Sequence, residues 1–324
     1  MEPDAIFAAR DRLAQHARRT PLVESPFLNE IAGRRVLVKA ECLQHTGSFK
    51  FRGAWSALTA LPAEKRANGV CAVSSGNHAQ GVAMAAQMMG VPATIVMPAD
   101  APRLKIENTR AYGAEVVLYD RATVDRDALV RQVAGERGQH VILPFDDADV
   151  IAGQGTVGLE IAEQAAELGI TRAHVLVCCG GGGLTAGIAT ALHATAPDMR
   201  VHPAEPAGFD DVARSLSTGT RQMNSVRSGS ICDAILTPES GDLTWPIMRD
   251  LCGAGAVVSD DMALDAVAAA FQRLKLVVEP GGAVALAAAL WALPDGVAAD
   301  VPVIAVATGG NVDADIFARA LERL

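Results

Sequence analysis

The sequence predicts an α/β protein built from two open, mainly parallel twisted sheets flanked by helices. Three observations lead there. Short β-branched runs alternate with Ala-rich helical stretches, the pattern of parallel strands joined by crossover helices. The alternation occurs in two separate series. The four-glycine run Gly180-Gly181-Gly182-Gly183 stands between an apolar stretch and a helical one, where an open parallel sheet receives its ligand.

The first series pairs 70–73 with a helix at 79–89, 93–97 with 103–112, and 115–119 with 124–136. The second follows Pro144, with a helix at 155–168, a strand at 174–178, a helix at 184–192 and a strand at 200–204. The expected partition is a small domain of residues 47–144 and a large cofactor-binding domain from 1–46 and 145–324, with the ligand between them. Ligands of such sheets lie beyond the carboxyl ends of the strands, and three loops qualify: Ser74-Ser75-Gly76-Asn77, the glycine run, and Thr308-Gly309-Gly310-Asn311 after the apolar strand 303–307. No repeat of fixed period and no long linker interrupts the chain, so the two units should pack tightly.

At 324 residues and 50% hydrophobic content the chain can bury a substantial core. A formal net charge of -9 argues against a nucleic-acid surface, which needs clustered Lys and Arg. No apolar stretch is long enough for a membrane span, and Met1-Glu2-Pro3-Asp4 lacks the pattern of a secretory signal, so the expected location is the cytoplasm. The six cysteines show no metal-ligand spacing and read as small buried hydrophobes.

The chemistry starts at the glycines. Without side chains they let successive N–H groups from Gly180 to Leu184 crowd an anion at a helix start, which predicts a phosphate site. Lys50 lies between Phe49 and Phe51, an environment that desolvates the amine and favours its condensation with a carbonyl. A phosphate cradle with a reactive lysine suggests pyridoxal 5'-phosphate. The loop Ser74, Ser75, Gly76, Asn77, His78 opens a helix and offers unpaired donors to a substrate carboxylate. A reading from another class, an NAD-dependent oxidoreductase, rests on Gly181-x-Gly183-x-x-Ala186 and on Glu205 downstream as a ribose ligand. It leaves Lys50, the 74–77 loop and Thr308 unexplained. A non-catalytic amino-acid-binding protein is a third reading, disfavoured by Lys50.

Residues 46–53, 74–78, the four glycines, Glu279-Pro280-Gly281-Gly282-Ala283 and 308–313 match, in order, the motifs of the serine and threonine dehydratases. The chain thus resembles a fold-type II pyridoxal-phosphate enzyme, tryptophan synthase beta-like in fold, from Arg19-Thr20-Pro21-Leu22 to Asp313. The resemblance implies that Lys50 carries the cofactor and is the base at the substrate's α-carbon, that Asn77 bonds the cofactor's 3' oxygen, and that Thr308 meets the ring nitrogen with a neutral hydroxyl. It implies β-elimination of water from threonine or serine to give a 2-oxo acid and ammonia. Racemisation with Ser75 as second base and dehydration of hydroxyaspartate are the alternatives. Phe145, in Pro144-Phe145-Asp146-Asp147, favours the dehydratase pattern over the racemase one.

The resemblance further implies a divalent-cation site, Mg²⁺ or another, at Glu205, Asp211 and the carbonyl of Phe209, supporting structure more than chemistry. It places Glu279 near the cofactor and implies a homodimer acting on a small-molecule substrate. With no regulatory domain after Leu324, it implies a short, catabolic or racemase-like enzyme. Arg52 is the candidate for binding a second substrate carboxylate.

Overall fold

The structure is a computed structural model that describes every residue except Ser75, Pro102, Arg121 and the side chain of Leu104. Its strands are β1 (Leu22–Glu24), β2 (Val36–Lys39), β3 (Val70–Val73), β4 (Ala93–Pro98), β5 (Glu115–Tyr119), β6 (His140–Val141), β7 (Ala173–Cys178), β8 (Met199–Pro206), β9 (Ala256–Val258) and β10 (Val303–Val306). They form a four-stranded sheet, β5-β4-β3-β6, and a six-stranded sheet, β1-β2-β10-β7-β8-β9. All pairs are parallel except β1–β2. β4 and β7 are buried along their whole length, as expected of strands covered on both faces by crossover helices.

The α/β alternation read from the sequence is present, with helices at Asn77–Met89, Arg103–Ala111, Arg126–Arg137 and Gly183–Thr195 in their expected places. The helix expected at 155–168 starts earlier and spans Ala148–Glu167. Its start is set by Asp147, whose carboxylate accepts the N–H groups of Asp149 (2.8 Å) and Val150 (3.1 Å). Helix Pro280–Trp291 is buried almost throughout, packed against the six-stranded sheet as a fully apolar helix must be.

Helix Lys50–Ala60 lies against Ala148–Glu167, and a Cβ added at Gly153 would stand 2.5 Å from the carbonyl oxygen of Arg52. Glycine is therefore required there for the close backbone approach. All six cysteines are buried and unpaired. Among the described residues no helix is long and apolar enough to cross a membrane.

The six-stranded sheet holds a buried imidazole pair. His174 Nδ1 lies 3.0 Å from His202 Nε2, while His202 Nδ1 lies 2.8 Å from the Ala254 carbonyl. His202 Nδ1 therefore donates to the Ala254 carbonyl, and a neutral His202 accepts from His174 at Nε2. Burial pushes His202 down to about 4. The unfolded chain takes up a proton near pH 6.5 that the native state refuses until about 4, so stability falls as pH drops through that window. The expected loss is about 2–3 kcal/mol by pH 4. A urea midpoint that declines between pH 6.5 and 4.5, with a flatter decline in His202→Gln, is the outcome to look for.

Candidate active site

A cavity of about 780 Å³ opens between the two sheets, a size suited to a cofactor with its substrate. It collects the three expected loops. Ser74, Gly76, Asn77 and His78 line it from the end of β3, Gly180 through Leu184 from the end of β7, and Thr308 from the end of β10. Lys50, at the first position of helix Lys50–Ala60, also lines it. Ser75 lies outside the described residues.

The Lys50 amine donates to the Pro144 carbonyl (2.8 Å) and sits 5.1 Å from the centre of the Phe49 ring. Burial pushes its pKa down to about 8, so a sizeable fraction is neutral near physiological pH. A neutral amine is the nucleophilic form.

Gly182 has a φ of +91°, a left-handed conformation that glycine adopts freely, and it caps helix Gly183–Thr195 with no side chain competing for the first-turn donors. A Cβ at Gly181 would lie 2.4 Å from the Phe145 ring. The loop is thus held against Phe145, with its N–H groups and the helix dipole available to an anion.

Asn77 is fixed from two sides. Its Nδ2 donates to Glu279 Oε1 (2.5 Å), and its Oδ1 accepts from Asn311 Nδ2 (2.7 Å), which also donates to the Thr46 carbonyl (2.8 Å). Gly309 leaves room for the Asn77–Glu279 contact, since a Cβ there would lie 2.2 Å from Glu279 Oε1. Burial, followed by the charge of Asp233, pushes Glu279 up to about 7. Ser74 Oγ accepts the N–H of Gly76 (3.1 Å). The His78 side chain turns away to the Ile142 carbonyl (3.0 Å), and burial pushes its pKa down to about 3, which leaves it neutral. Helix Asn77–Met89 has no side-chain cap, so its leading N–H groups are left without one at the cavity edge that Gly76, Asn77 and His78 line.

Two expectations fail. Arg52 is buried and turned away from the cavity, bonded to Glu41 and Glu160, and cannot meet a substrate carboxylate. Glu205 cannot meet a ribose hydroxyl, because it is fully buried and its carboxylate accepts the N–H groups of Val212 (3.1 Å) and Ala213 (2.7 Å). The dinucleotide reading fails with it.

Asp211 accepts from Asn224 Nδ2 (2.7 Å) and from the N–H of Ser240 (3.0 Å). Burial, then the neighbouring Asp211 charge, raises Glu205 well above the carboxylate range, and burial pushes Asp211 up to about 6. Among the described residues no group of three or more His, Cys, Asp or Glu gathers as a metal cluster.

Cavity residues that the sequence did not single out include Lys105, Arg126 and Arg131. Lys105 is bonded to Asp233 across the cavity wall (3.0 Å), and although burial opposes it, that carboxylate keeps its pKa raised. Arg126 and Arg131 stand on helix Arg126–Arg137, where their exposed positions read as an ordinary solvated face.

An amine that is readily deprotonated, lining one cavity with a cradle of backbone donors, suits a molecule that carries both an aldehyde and a phosphate. Comparison with known proteins agrees. Residues 13–309 match the family model described as pyridoxal-phosphate dependent enzyme. The L-threo-3-hydroxyaspartate ammonia-lyase of a Pseudomonas species is 41% identical over 98% of this chain and 97% of its own. The structure of maize serine racemase matches with a TM-score of 0.91 at 37% identity, covering 99% of this chain and 97% of that one. That of T.th. threonine deaminase matches with a TM-score of 0.89 at 44% identity, covering 97% and 99%. The chain belongs to the fold-type II pyridoxal-phosphate-dependent enzymes, the family that includes serine racemase, threonine dehydratase and hydroxyaspartate ammonia-lyase.

Proposed function

We propose that this chain is an ammonia-lyase that removes water from a β-hydroxy amino acid, giving a 2-oxo acid and ammonia. The observation that carries the reading is the partly buried Lys50 amine, lowered to about 8 and facing the glycine loop across one cavity. When bound, pyridoxal phosphate supplies an aldehyde that condenses with amines and a ring that delocalises the electron pair left by a departing α-proton. Lys50 would hold that aldehyde and would be the group that takes the α-proton. Gly180 through Leu184 would hold the phosphate, while Ser74, Gly76, Asn77 and His78 would orient the substrate carboxylate at the helix start. Thr308, which lines the cavity, would offer the ring nitrogen a neutral hydroxyl that does not enforce its protonation. Asn77, locked by Glu279 and Asn311, holds the 3' oxygen.

Glu205, Asp211 and the Phe209 carbonyl would hold a Mg²⁺ ion as a structural charge, a reading supported by two buried carboxylates close enough for the Asp211 charge to act on Glu205.

Within the β-hydroxy amino acids, we take a substrate with a second carboxylate as the preferred one, a reading supported by two arginines at the cavity. Arg126 and Arg131 both line it, and the Pseudomonas relative is a hydroxyaspartate ammonia-lyase. An exposed charged contact of this kind contributes about 0.2–1 kcal/mol, so Arg126→Ala should raise KM for 3-hydroxyaspartate by about two- to fivefold. Threonine turnover should change little.

The test of the function is a panel of serine, threonine and 3-hydroxyaspartate assayed for 2-oxo acid and ammonia, with the chirality of residual substrate followed. Oxo acid formed without racemised substrate supports the reading; racemised substrate without oxo acid would overturn it.

A further inference from the structure

Arg52 follows Lys50 by two positions, which on a helix turns it about 200° away, so its side chain leaves the back of the helix while Lys50 leaves the front. Its guanidinium is saturated. Nε and Nη2 make a forked pair with Glu41 (2.8 Å each), and Nη1 and Nη2 reach Glu160 (2.7 and 2.9 Å). Thr156 Oγ1 (3.2 Å) and the Arg18 carbonyl (3.1 Å) complete the set. Glu160 also accepts from Lys39 Nζ (2.5 Å), and Thr20 Oγ1 donates to Glu41 (2.5 Å). Arg52, Lys39 and Glu41 are all at or below 1% exposure.

A buried ion cluster is a poor source of stability, because removing four charges from water costs about what their attraction returns. It does fix geometry. Each partner stands on an element that builds the active site. Glu160 is on helix Ala148–Glu167, preceded by the Pro144 carbonyl that receives the Lys50 amine. Lys39 ends β2, and its carbonyl accepts the N–H of Ala307, next to Thr308. Glu41 precedes Cys42, whose N–H donates to the Ala307 carbonyl, and the Thr308 carbonyl in turn accepts the N–H of Phe49.

We propose that Arg52, clamped by Glu41 and Glu160, is a positioning residue that aims the Lys50 amine by fixing the first turn of its helix relative to Pro144 and Thr308. The inference rests on Lys50 being the amine that takes up pyridoxal phosphate.

The experiment compares wild type with Arg52→Lys, Arg52→Met and the double variant Arg52→Met/Glu41→Leu, each as the full chain. The double variant removes one charge of each sign and leaves the Lys39–Glu160 pair balanced, so its thermal midpoint should recover relative to Arg52→Met. Arg52→Lys keeps the charge and loses the fork. After removal of cofactor, the readouts are the rate at which a visible band appears on mixing with pyridoxal phosphate, and kcat and KM for the preferred amino acid. A small misplacement of a reacting group costs on the order of tenfold to a hundredfold, so band formation and kcat should stay at least about tenfold below wild type in both Arg52→Lys and the double variant. KM should move by less than about threefold, since the groups that bind substrate are untouched. A double variant that regains wild-type band formation together with its thermal midpoint would overturn the positioning role. A wild type that forms no such band overturns the role of Lys50 itself, and this inference with it.

Discussion

Lys50→Ala should give a folded chain that forms no visible, borohydride-sensitive band with pyridoxal phosphate and has lost turnover by at least about 1,000-fold. The loss is large because one amine has two tasks, holding the aldehyde and removing the α-proton. Folding should hardly change, because the amine has a single hydrogen bond, to the Pro144 carbonyl, and its neighbour Phe51 rather than Lys50 fills the core. Circular dichroism and a thermal midpoint near that of wild type, beside absent turnover, would check this. In the wild type, band formation should accelerate as pH rises through about 8, where the buried amine becomes neutral.

Gly181→Ala should weaken pyridoxal phosphate binding by about 100-fold, the equivalent of losing one or two charge-assisted hydrogen bonds. A Cβ there would fall 2.4 Å from the Phe145 ring, so loop and ring must part, carrying the loop's donors off the phosphate. Gly181→Ala/Phe145→Ala should therefore bind more tightly than Gly181→Ala alone, as titration of the visible band would show. Equal affinities for the single and double variants would remove steric displacement as the cause.

The parallel α/β architecture is legible because its signal is local. β4 and β5 are compact β-branched runs, and the glycine run is flanked by apolar segments that leave little choice but strand and helix. Helix Ala148–Glu167 is half visible: the sequence reading starts it at Gly155, and only the close packing of Gly153 on Arg52 and of Gly155 on Gly187 explains glycines inside it. Helix Pro280–Trp291 is hidden behind Gly281 and Gly282, and its apolar surface all round offers no amphipathic period.

The candidate site divides along the same line. Lys50 and the three loops carry their chemistry in neighbouring residues and can be found from the sequence. Arg126 and Arg131 cannot, because a cation on an amphipathic surface helix looks the same whether it faces solvent or a cavity mouth. Arg52 invites the wrong partner for a related reason: its charge is visible, but the distant Glu41 and Glu160 that neutralise it are brought there only by the tertiary fold.

Borohydride reduction of the protein loaded with pyridoxal phosphate, followed by mass mapping of the digested chain, tests the central claim most directly. The account requires the cofactor to be fixed on the peptide that contains Lys50, and on that one alone in stoichiometric amount. Label on another lysine, or a protein that binds pyridoxal phosphate yet carries no reducible link, would contradict it.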